Sequence, residues 1–106
     1  MTRVLMLGSG PDINRSDTSE MRYMVVETYM NGPEPVYERL AAQGRLLPPG
    51  LTYVDSRVEA VGRSRCCQLM ETDDPTLFDI WIDRWSDLVA FEVVPVISST
   101  AAAASP

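Results

Sequence analysis

Prolines and glycines cut this chain into short pieces, and that punctuation limits its fold more than any other feature. Asn31-Gly32-Pro33, Pro48-Pro49-Gly50, Gly62 and Asp74-Pro75 each stop or start a regular element. A long helix or a large parallel sheet cannot be threaded through them. The 106 residues suffice for one small domain and not for two.

The segments between the breaks carry clear periods. Residues 22–29 are rich in β-branched and aromatic side chains and predict a strand. Pro35 suits the first turn of a helix, and Val36, Tyr37, Leu40 and Ala41 then recur at helical spacing, with Gly44 as its C-terminal cap. Residues 51–59 and 65–71 predict two more strands, joined through Gly62 as a hairpin. Asp74-Pro75 is a helix start, a capping carboxylate followed by a proline whose missing N–H costs nothing there. Leu77, Phe78, Trp81, Ile82, Trp85, Leu88 and Val89 follow on one apolar arc, and Asp79, Asp83, Ser86 and Asp87 fill the opposite one. Ile80 is the large apolar residue on that polar arc, a candidate subunit contact. Residues 91–97 predict a fourth strand, with Pro95 pointing to an edge or a bulge.

The resulting order, β-α-β-β-α-β, is the ferredoxin-like arrangement of an α+β domain: an antiparallel four-stranded sheet with two helices on one face. The other face is left open, and function or assembly is sought there. The domain is expected over residues 21–98. Residues 1–20 read as a flexible extension, and Met21, where the periodic pattern begins, reads as a candidate natural start. Gly8-Ser9-Gly10-Pro11 follows an apolar run but lacks the third glycine and the helix of a nucleotide-binding loop. Residues 99–106, with four consecutive alanines from Ala101, read as a disordered tail.

Composition removes whole classes of chemistry. The chain has no His, so imidazole metal sites and His-dependent nucleophilic catalysis are excluded. It has nine Arg, no Lys and fifteen acidic residues, a formal net charge of -6, which disfavours nucleic acid as a partner. No apolar run reaches the length of a signal-peptide core or a membrane span, so no membrane partner is expected. Adjacent Cys66 and Cys67 would make a strained bridge; as reduced thiols used in packing they fit a cytoplasmic location. The acids of the second helix have no EF-hand spacing, and no metal or other cofactor is expected.

Several stretches resemble a small bacterial family known as domain of unknown function 3303. They are Gly44-Arg45-Leu46-Leu47-Pro48, then Gly50-Leu51, Tyr53 and Ser56, Arg65-Cys66 and Gln68-Leu69-Met70-Glu71. Trp81, Trp85, Asp87-Leu88-Val89 and Phe91-Glu92-Val93-Val94-Pro95-Val96 complete them. The resemblance spans residues 21–99. It implies the dimeric α+β barrel, a homodimer whose two sheets pack together, in a superfamily that includes small monooxygenases, isomerases, haem-degrading enzymes and stress-responsive proteins. It implies no activity and no catalytic residue. One departure is Arg57, where the family pattern has a tryptophan after the serine of the second strand.

Strand alternation then sorts the side chains. Met24, Val26 and Thr28 are expected against the helices, and Tyr23, Val25, Glu27 and Tyr29 on the open face. On the second strand Thr52, Val54, Ser56 and Val58 oppose Tyr53, Asp55, Arg57 and Glu59. Grouping Gln68 with the polar side places Cys67 and Leu69 in the core, and Glu92 joins the polar side on the last strand. The candidate pocket is therefore Glu27, Tyr29, Tyr53, Asp55, Arg57, Gln68 and Glu92. Covered by a partner, such carboxylates gain raised pKa values suited to acid–base work, and Tyr and Arg can orient a ligand's anionic group. The same residues also suit an interface or a solvated face held by a Glu27–Arg57 or Asp55–Arg57 pair. Trp81 and Trp85 read as core. Two functions follow. One is a dimeric module that binds a small organic molecule or regulates. The other is a cofactor-independent enzyme, monooxygenase-like or isomerase-like, acting on a small, partly aromatic substrate in the barrel cavity.

Overall fold

The computed structural model of the chain describes residues 21–104. The expectations for residues 1–20, including the candidate extension, and for residues 105–106 lie outside that range.

The elements are β1 (Met21–Tyr29), α1 (Pro33–Gln43), β2 (Thr52–Val58), β3 (Arg65–Thr72), α2 (Leu77–Asp83), β4 (Val89–Val96) and α3 (Ser99–Ala104). The strands form one antiparallel sheet in the order β2-β3-β1-β4, the ferredoxin-like topology. Pro95 sits on the edge strand β4, where a missing donor is tolerated. Gly44 caps α1 in the left-handed region (φ 73°), its N–H donating to the Leu40 carbonyl at 2.8 Å.

Three local expectations change. α2 is shorter than its apolar arc, because after Asp83 the bonds tighten: the N–H groups of Arg84, Trp85 and Leu88 donate three residues back. That turn delivers Val89 opposite Tyr29, so β4 starts two residues early. Asp74 still organises the start, its Oδ1 accepting from the Thr76 N–H at 3.0 Å and the Thr76 hydroxyl at 2.6 Å. The tail is helical over Ser99–Ala104. Alanine has the strongest intrinsic helix preference, and the Ser98 hydroxyl accepts the Ala101 N–H at 3.0 Å.

The largest correction concerns the faces of the sheet. Tyr23, Val25, Glu27 and Tyr29 of β1 point toward the helices and are buried; Met24, Val26 and Thr28 are on the open face. Cys66, Gln68, Met70 and Thr72 of β3 join the buried set, and Cys67 and Leu69 the open one. The aromatic rings decide this phase. Tyr23 meets Phe78 edge-on at 5.1 Å between centroids, and Tyr29 meets Tyr37 of α1 at 6.3 Å. Phe78 and Trp81 of α2 continue the cluster toward Phe91. On β2 a register shift between Tyr53 and Asp55 inserts Val54 and changes the alternation. Tyr53, Ser56 and Val58 consequently share the helix side, while Asp55 and Arg57 lie on the open side.

Candidate functional site

Glu27 is 5% exposed in the middle of β1, opposite Cys66 on β3 and Phe91 on β4. A carboxylate there loses most of its hydration, which favours the protonated form. Burial raises its pKa from the ordinary 4.5 to about 7, while the hydrogen bond from Gln68, the Arg45 charge and Tyr29 act in the opposite direction. Gln68 sits two residues from Cys66 on the same face. Its Nε2 donates to Glu27 Oε2 at 2.5 Å, and its Oε1 accepts from Arg45 Nη1 at 3.3 Å. The amide therefore separates the acid from the cation and fixes the orientation of both.

Arg45 follows the α1 cap. Its guanidinium lies over the Tyr53 ring, 3.6 Å from the centroid, a close cation–π stack. Its carbonyl accepts the indole N–H groups of both Trp81 and Trp85, each at 3.0 Å. The Tyr53 hydroxyl is 2.8 Å from the Ser56 hydroxyl, which holds the ring that carries the guanidinium.

These groups surround a half-open cavity of about 90 Å³ between the helices and the sheet. Its sheet wall is Glu27 and Tyr29, Ser56 and Val58, Cys66 and Gln68, and Val89. Its helix side is Val36, Tyr37 and Leu40 of α1 with Trp81 and Trp85, and Arg45 lies at the connection. Burial pushes the Cys66 thiol up to about 11, helped by the neighbouring Glu27 charge. Burial also raises the Tyr29 phenol. At neutral pH the thiol and the phenol are neutral, and Glu27 alone of the three stands near its midpoint. An acid so poised can accept or give a proton.

Of the seven residues expected from sequence, Glu27, Tyr29 and Gln68 line this cavity. Tyr53 is on the same face and reaches the site through Arg45. Asp55, Arg57 and Glu92 are on the opposite face, Glu92 facing Val26 across the sheet ladder. Arg57 pairs with Asp55 at 2.8 Å in the open, so the alternative Glu27–Arg57 pair does not form. The cavity therefore lies under the helices, while Asp55, Arg57 and Glu92 lie on the open face. Arg45, Ser56 and Cys66 are cavity residues that alternation did not single out. Gln68 carried the usable signal: a polar residue between buried Cys66 and Met70 calls for a polar partner on the same face. Trp81 and Trp85 are core residues, as expected, and also wall the cavity.

Among the described residues no group of three His, Cys, Asp or Glu is placed to hold a metal ion. No helix among them is long and apolar enough to cross a membrane. A family model described as domain of unknown function (DUF3303) matches residues 21–105. No curated protein and no solved structure matches the chain.

Proposed function

The chain belongs to the family described as domain of unknown function 3303, and we propose that it is a small-molecule-binding or regulatory module acting as a homodimer. The observation that supports this most strongly is a buried acid facing unfilled space. Protein interiors are close-packed, and a buried carboxyl whose hydrogen-bond partner is a neutral amide is costly to ionise. A domain with only a structural task would gain stability from a leucine at position 27, which would fill part of the cavity and remove the charge. The volume of about 90 Å³ suits about three waters or the apolar end of a small organic molecule, at roughly 30 Å³ per water. The half-open mouth leaves room for the remainder of a ligand.

The dimer is supported by the open sheet face. Met24, Val26, Leu69 and Val94 are adjacent there and only partly covered, with the Arg22–Glu71 and Asp55–Arg57 pairs beside them. A second copy would bring two such apolar stripes together with charges of both signs at the rim. Two free cysteines favour a cytoplasmic location.

A second reading is a cofactor-independent enzyme, isomerase-like or monooxygenase-like. It draws on the Glu27 carboxyl near pH 7, which suits proton transfer at a bound substrate. Native mass spectrometry tests the main proposal. A dimer that retains or takes up a small molecule is expected, with uptake altered in Glu27→Leu, because Glu27 lines the cavity. A monomer, or uptake unchanged in Glu27→Leu, would contradict it. A Glu27→Gln variant that binds a ligand without converting it, where the unaltered protein turns it over, would select the enzyme.

A further inference from the structure

We propose that the cavity takes a small monocarboxylate, its anionic group on the Arg45 guanidinium and its apolar part between Trp81, Trp85 and Leu40. The proposal rests on the cavity being a binding site and adds the chemical class of its occupant.

The backbone and the side chain of Arg45 are both held. Gly44 and Leu46 on either side have positive φ, 73° and 61°, a conformation that a leucine adopts only under constraint. The constraint is visible in the two indole N–H groups that converge on the Arg45 carbonyl, and in Arg84, which donates to the Leu46 carbonyl at 2.8 Å. The guanidinium is then stacked on Tyr53 at the cavity wall rather than extended into solvent.

This cation has no direct ion pair among the described residues, and the Glu27 carboxyl acts on it only through space, across the Gln68 amide. A guanidinium offers five N–H donors. Among the described residues Arg45 has one hydrogen-bond acceptor, the neutral amide of Gln68. The ion pairs of the described residues go elsewhere, to Arg22–Glu71, Arg39–Asp87 and Arg57–Asp55. In a chain of net charge -6, a cation held at a cavity with no carboxylate in direct contact is a specific feature. Its planar fork matches a carboxylate with two parallel hydrogen bonds.

The neighbouring acid limits the charge of the ligand. A single cation cannot offset a dianion beside Glu27, whereas a monoanion is accommodated when Glu27 is protonated. Binding therefore takes up a proton at Glu27. The other titratable groups facing it are Tyr29 of β1, Cys66 of β3, Tyr37 of α1 and Arg45 itself. The cavity residues from β2, β4 and the α2 region (Ser56, Val58, Val89, Trp81 and Trp85) carry no titratable group in the neutral range.

The two tryptophans of the chain both line the cavity, so intrinsic fluorescence reports its occupancy. The full chain is titrated with butyrate and with its neutral isostere butyramide at pH 6 and pH 8. Butyrate should bind at least about tenfold more tightly than butyramide at pH 6, the equivalent of one charge-assisted contact. With the Glu27 midpoint at about 7, butyrate should lose about tenfold in affinity between the two pH values. The preference should vanish in Arg45→Gln and persist in part in Arg45→Lys. Equal binding of the two probes by the unaltered protein would overturn the carboxylate assignment and leave the cavity reading standing. A fluorescence response to neither probe would remove both. The comparison on the unaltered protein decides the matter even where a variant fails to fold.

Discussion

Replacing Glu27 by glutamine should flatten the pH dependence of stability across the neutral range. The carboxyl has its ordinary 4.5 in the unfolded chain and about 7 in the folded one. Between those values the folded protein keeps a proton that the unfolded chain has released, so raising the pH favours unfolding. The cost is absent below 4.5 and fully present above about 7. At 1.36 kcal/mol for each pH unit of the window it reaches about 3 kcal/mol. Glutamine keeps the shape and can still accept the Gln68 N–H, but has no proton to lose. The assay is urea unfolding followed by tryptophan fluorescence from pH 4.5 to 8.5, at one protein concentration because a dimer makes stability depend on it. The stability of the unaltered protein minus that of Glu27→Gln should fall by about 3 kcal/mol over that range. Asp55 and Asp87 have lowered pKa values and give a slope of opposite sign only below their ordinary 3.8, outside the window. A difference that stays constant with pH would contradict the raised pKa and show that the carboxyl is hydrated or fully paired.

Three substitutions probe the frame around the site. Phe78→Ala removes a ring with no exposed surface, and should cost about 3–5 kcal/mol in urea unfolding; a loss below about 1 kcal/mol would mean that the aromatic cluster does not hold α2 to the sheet. Gly50→Ala meets both a φ of +97° and Leu77 Cδ1 at 2.9 Å from the new methyl, so a loss of about 1–2 kcal/mol is expected, and a neutral result would place the loop differently. Arg39→Ala breaks the two-pronged bond to Asp87, at 2.7 and 2.8 Å, and the stacking on Trp85 at 5.3 Å. A loss of about 1 kcal/mol in thermal unfolding, shrinking in high salt, should follow.

The element order was legible because proline and glycine chemistry is local. Asp74-Pro75, Gly44 and Pro95 each act through their own backbone, and each stands where its chemistry requires. The phase of β1 was not legible, because both of its faces carry apolar residues, Tyr23 and Val25 on one and Met24 and Val26 on the other. Placing Glu27 outward was the natural choice for a charge. The packing of Tyr23 and Tyr29 against Phe78 and Tyr37 overrides it and brings the acid inward. One inserted residue, Val54, then moved Asp55 and Arg57 away from Tyr53, a shift that alternation cannot anticipate. Arg45 is a tertiary product: only the meeting of two indoles from the α2 region with the end of α1 turns it toward the cavity. The tail is ambiguous in sequence because small residues suggest fraying, whereas a serine cap followed by alanines is also a helix signal.

The proposed site stands on a protonatable acid beneath the helices at neutral pH. Carbon-13 NMR of the protein labelled at its glutamate side chains, with Glu27→Gln to assign the signal, follows that carboxyl directly. Glu27 should titrate with a midpoint at about 7, well above the ordinary 4.5. A midpoint near 4.5 would contradict it, because the carboxyl would then be an ordinary hydrated acid rather than the polar centre of a cavity.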